Sequence, residues 1–167
     1  MSVNDFPHPS RLSPRAGACL PLRRFLGVLA ACVLMPFAPV RADEASQVEE
    51  ALVELAKTQE SQGFDFRADI WERELSPDVG KAVRIQLFKG NEYRVCLAVS
   101  PKSGVQIASQ VLDAEGKPIE SKAEKTAGGW GVTLHVTPKR TGVYMVTVRH
   151  AGGPQKKALC AMISGYK

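Results

Sequence analysis

The chain is sparing with reactive side chains. It holds four cysteines and three histidines in 167 residues. No Cys-x-x-Cys is present, which removes the usual thioredoxin-like redox motif. No serine sits in a Gly-x-Ser-x-Gly elbow, the turn that presents a nucleophilic oxygen beside N–H donors. The most apolar stretch is interrupted by Pro36 and Pro39, and it falls short of the roughly 20 apolar residues a spanning helix needs. There is no internal repeat and no low-complexity tract, so solenoid and disordered-linker architectures are excluded.

What is there begins with a leader. Arg23 and Arg24 precede the apolar run, and Val40-Arg41-Ala42 leads into Asp43-Glu44. This is the layout of a bacterial-type secretory signal, with cleavage expected after Ala42. A rival site, Leu29-Ala30-Ala31-Cys32, resembles a lipobox and would anchor the protein through a lipid on Cys32. The arginine pair also hints at twin-arginine export. The expected organisation is a signal peptide over 1–42, a helix over 43–63 and a β-domain over 64–167, placing the mature protein in the periplasm or outside the cell.

Removing the leader rewrites the charge argument. The full chain has a formal charge of +5, but the leader carries five arginines and one aspartate. The remainder has 17 Lys+Arg against 16 Asp+Glu, close to neutral. A nucleic-acid-binding surface loses its main support.

Two cysteines remain, Cys96 and Cys160. An even count in an oxidising compartment favours a disulfide. It would close a loop of about 64 residues and contribute roughly 4 kcal/mol in the chain-entropy model. Cys96 points opposite to Val95 and Leu97, and Cys160 opposite to Leu159 and Ala161. The two thiols therefore occupy equivalent sides of their strands, and a bridge is available if those strands are neighbours.

Residues 46–62 read as a helix. Ser46-Gln47-Val48-Glu49 fits a capping box. Val48, Ala51, Leu52, Leu55 and Ala56 form an apolar stripe, and Gly63 supplies a left-handed stop. The stripe either docks on the protein's own β-domain or offers Val48, Leu52 and Leu55 to a partner. Beyond Gly63 the period becomes two. Val83, Ile85 and Leu87 lead through Lys89-Gly90-Asn91-Glu92 to Tyr93, Val95, Leu97 and Val99, the pattern of a hairpin. Further strands are expected over about 104–112, around 132–136, over 143–150 and over 157–165, with 64–76 as the first. The fold class is mainly β: an antiparallel two-sheet sandwich, jelly-roll-like with about eight strands, preceded by one short helix.

Three phrases carry a family resemblance. Leu87-Phe88-Lys89-Gly90-Asn91-Glu92-Tyr93-Arg94-Val95, Val111-Leu112-Asp113-Ala114-Glu115-Gly116-Lys117 and Thr141-Gly142-Val143-Tyr144-Met145-Val146-Thr147-Val148 together resemble the bacterial pre-peptidase C-terminal domain over about residues 66–165. The resemblance implies a jelly-roll-like module of secreted proteins that accompanies catalytic domains and is not itself catalytic. The helix and the cysteine pair depart from that pattern.

Candidate chemistry is thin. His135 and His150 face different ways, with no carboxylate at ligand spacing, and zinc sites need three or four ligands; no metal or other cofactor is expected. Asp113 and Glu115 fit a hairpin turn closed by Gly116 better than a calcium loop. Trp130, after Gly128-Gly129, and Trp71 are the candidate ligand platforms, since an indole stacks well on a sugar ring. The expectation is a non-enzymatic protein that binds a protein or envelope component, with a carbohydrate-binding module as the alternative and a small envelope hydrolase as a third class.

Overall fold

The structure, a computed structural model, describes residues 40–167, with side chains from Asp43 onward. The expected signal segment up to residue 39, including the lipobox at Cys32, lies outside the described residues. No described helix is long and apolar enough to cross a membrane.

Helix α1 spans Val40–Glu60. It begins six residues before the expected start, so Ser46 lies inside it and caps nothing. The stop is as expected: Gly63 has φ 88°, with Phe64 N–H donating to Gln59 O and Gly63 N–H to Glu60 O. This paired closure is the Schellman motif, which needs a residue at ease with positive φ.

Nine strands follow in two antiparallel sheets: β1 (Asp65–Phe66), β2 (Trp71–Leu75), β3 (Lys81–Leu87), β4 (Tyr93–Val99), β5 (Gln106–Leu112), β6 (Ser121–Lys125), β7 (Gly131–Val136), β8 (Gly142–Gly152) and β9 (Ala158–Tyr166). The larger sheet runs β1-β9-β4-β7-β6, with β2 on the same edge of β9 as β1; the smaller runs β3-β8-β5. The pairings β2·β9, β3·β8 and β4·β7 nest inside one another. The Leu112–Pro118 bridge and the Ile119 N–H to Val111 O bond add the innermost pair. This is a long hairpin rolled into a jelly-roll-like sandwich, except that the chain after Ile119 leaves β5 and joins β7 as β6.

Two expectations need correction here. Residues 64–76 form two short strands rather than one, interrupted over 67–70. Residues 83–99 are not a hairpin: β3 and β4 belong to opposite sheets, and Phe88–Glu92 arches between them. Turn chemistry reverses the chain but does not decide which sheet receives it.

Val95, Leu97, Val99, Val132, Leu134, Val146, Val148, Cys160 and Met162 are among the side chains filling the space between the sheets. A second apolar layer lies outside the larger sheet, where Val48, Ala51 and Leu52 of α1 cover Cys96, Ala98 and Ala161. Small residues allow the close approach. A Cβ placed on Gly131 would come within 3.0 Å of Leu55 Cδ1 and 2.9 Å of Thr126 Cγ2. Polar ties fix the helix along its length. Glu44 Oε1 accepts from Leu159 N–H at 2.9 Å, Gln47 Oε1 from Ser100 Oγ at 2.8 Å, and Gln59 Oε1 from Arg94 Nε at 3.2 Å. The described residues thus form three layers: helix, large sheet, small sheet.

Candidate functional site

The three layers decide which expected site residues are accessible. Val48 and Leu52 are fully buried and Leu55 is half-buried, all against the protein's own large sheet. They offer no face to a partner, which corrects the interface reading in favour of internal docking. Trp130 is half-buried where the two apolar layers meet, with its carbonyl accepting from Val99 N–H. Trp71 is half-buried on β2, with the Arg73 guanidinium 5.8 Å from its ring centroid. Neither indole is among the exposed large apolar side chains.

The cysteines also need correction. Their strands are neighbours, as expected, but both thiols are free. Cys96 faces the helix and Cys160 faces the interior. Burial pushes Cys96 up to about 11 and Cys160 to about 12, so neither is a nucleophile at neutral pH.

The histidines stand on different sheets. His135 Nε2 lies 3.1 Å from Glu124 Oε2, close enough for an ion pair but poorly aligned for a hydrogen bond. Lys122, hydrogen-bonded to Glu124 at 2.7 Å, holds that carboxyl below its usual range, and His135 adds to the effect. His150 Nε2 contacts Gln155 O at 2.8 Å. Asp113 Oδ1 accepts from Glu115 N–H and Lys117 N–H, closing the expected turn with Gly116 at φ 80°. No group of three His, Cys, Asp or Glu side chains among the described residues is placed to share a metal ion.

Two surfaces stand out instead. The first is the outer face of the small sheet, which no described helix covers. Arg84, Met145 and Leu112 form one cross-strand row, Ala82, Thr147 and Gln110 the next, and Arg149 with Ala108 the third. None of the three strands contains a carboxylate, whereas the exposed outer strands β2 and β6 of the large sheet do. Arg84 and Arg149 have no ion-pair partner among the described residues. Val143 is 46% exposed at one end of this face.

The second is a groove of about 340 Å³ at one end of the sandwich, lined by Asp65, Phe66, Arg67, Phe88, Asn91, Tyr93 and Tyr166. Asp65, Tyr166 and Tyr93 are direct cross-strand neighbours on β1, β9 and β4, so their side chains share one face. Phe88 leaves the other sheet just after β3 ends. These residues escaped the sequence reading because tryptophan drew attention as the larger ring. A signal was present: Phe88 is apolar directly after Leu87, out of phase with the alternation of Val83, Ile85 and Leu87.

No protein-family model matches the chain, and no curated protein is significantly similar to it.

Proposed function

We propose that this is an exported, non-enzymatic binding module that engages an acidic protein partner of the cell envelope through the outer face of its β3-β8-β5 sheet. The carrying observation is the asymmetry between the two sheets. One has its outer face covered by α1; the other is covered by no described element, and its strands carry Arg84 and Arg149 but no carboxylate. Met145, Leu112 and Val143 supply apolar contact area, and Arg84 and Arg149 supply unspent positive charge. Interfaces are enriched in methionine and arginine, and unpaired arginines on strands without carboxylates steer partners of opposite sign toward them. The resemblance to pre-peptidase C-terminal modules, carried by β8 and two connections, supports the same non-catalytic role. The signal-like leader supports export.

The test is capture from a periplasmic extract at low and high salt. A defined acidic protein should be retained by the wild-type chain and released as salt rises, because screening shortens the range of exposed charges. Arg84→Glu with Arg149→Glu should abolish retention, while Lys122→Glu on the other sheet should not. Retention that survives both reversals contradicts the assignment.

A further inference from the structure

We infer that the groove at the end of the sandwich is a carbohydrate site that seats one or two neutral sugar rings at the end of a glycan chain. This goes beyond the protein-binding reading and rests on a different surface.

The first observation concerns aromatic exposure. Among the exposed large apolar side chains of the described residues only two are aromatic, Phe88 at 48% and Tyr166 at 40%, and both line this groove. Leaving such rings in water forgoes the stabilisation that burial would give, about 1.5–3 kcal/mol for a fully buried Phe-sized side chain. A sugar presents an apolar C–H face that suits a π surface, and its hydroxyls need partners around the rim.

The rim supplies them. Asp65 is an acceptor and Arg67 a donor, and neither side chain is engaged by another described residue. Asn91 contributes an amide that makes only a long 3.5 Å contact with Tyr93 Oη. Below them Tyr93 is 2% exposed. Its oxygen accepts from Phe88 N–H at 2.9 Å, yet its own proton finds no acceptor among the described residues. Its donor is therefore available to a hydroxyl that enters the groove.

Charge and shape narrow the ligand. One carboxylate and one guanidinium balance, so nothing selects an anion or a cation. Tyr166 packs on the buried Tyr93 ring at 6.1 Å, which leaves Phe88 and Tyr166 as the reachable rings, a short platform rather than the flat strip a long polysaccharide needs. The volume admits about one or two rings, at the small end of ligand pockets. The walls are fixed in advance: Glu92 and Lys167 exchange reciprocal backbone hydrogen bonds of 3.0 Å, tying the β3–β4 arch to the C-terminal strand. Preorganisation of this kind lowers the entropic cost of binding.

The test uses the whole exported protein on an array of neutral oligosaccharides of two to six residues, followed by calorimetric titration with the best binder. Binding should fall by about tenfold or more in Phe88→Ala and in Tyr166→Ala, the loss of a ring contact near 1.4 kcal/mol, and affinity should stop rising beyond two sugar residues. Trp71→Phe and Trp130→Phe should leave it unchanged. Both alanine changes are at exposed positions, so unaltered thermal unfolding separates lost contact from lost fold. Arg84→Glu with Arg149→Glu should keep sugar binding, which separates this site from the protein-binding face. A folded protein that binds no neutral glycan, or binding that persists in the double alanine variant, overturns the assignment.

Discussion

Cys96 and Cys160 sit on adjacent strands of one sheet and point to opposite sides of it. Cys96 pairs with Ile163 and Cys160 with Val99, so the thiols are three positions apart along the ladder and separated by the sheet itself. A disulfide cannot form there without tearing the sheet. The expected outcome is that a reductant leaves the unfolding temperature unchanged and that a thiol reagent labels both cysteines only in denaturant. An intact mass two hydrogens lighter than the reduced chain would contradict this.

The same burial makes a pH prediction. Both thiols are raised by burial above the ordinary value of 9.0, to about 11 and about 12. The unfolded chain therefore releases these protons first as pH rises, and the folded form loses relative stability. Stability from this source is full below pH 9 and falls by up to about 1.4 kcal/mol per pH unit per thiol above it. Urea midpoints measured from pH 8 to 11 should decline. The decline should be shallower in Cys96→Ala with Cys160→Ala.

Helix docking is the next point of leverage. Leu52 is 1% exposed, and Leu52→Ala should cost about 2–5 kcal/mol through lost contact and the cavity left behind. Gly131→Ala should cost about 1–3 kcal/mol because its Cβ meets Leu55 and Thr126. Chemical denaturation of each variant checks both values. A cost under about 0.5 kcal/mol at Leu52 would mean the helix is not packed on the large sheet.

Glycine conformation gives a paired comparison. Gly63→Ala should destabilise by about 1 kcal/mol, because φ 88° suits glycine alone at this cap. Gly142, with open space around its Cβ position and no positive φ, should accept alanine with little change. Thermal melts of the two variants should separate clearly.

Much of this architecture was legible in the residues. β3, β7 and β8 alternate cleanly, and the helix stripe and its glycine stop stand where the periodicity puts them. What misled was β4 and β9. Both are apolar on two faces because α1 covers the outside and the small sheet covers the inside. Alternation then no longer tells inside from outside, and the equivalent sides expected of Cys96 and Cys160 prove to be opposite ones. The β3–β4 arch is illegible for a related reason, since Lys89-Gly90-Asn91-Glu92 specifies a reversal and sheet choice depends on distant partners. The end groove was hidden because Asp65, Phe88, Tyr93 and Tyr166 converge only after β1, β4 and β9 align.

Site-specific photo-crosslinking in living cells tests the open-face assignment most directly. A photoreactive residue at Met145, on the uncovered sheet, should yield a discrete adduct with one envelope protein, and the same residue at Lys125 on β6 should not. An adduct from Lys125 with none from Met145 would contradict the assignment of the β3-β8-β5 face as the binding surface.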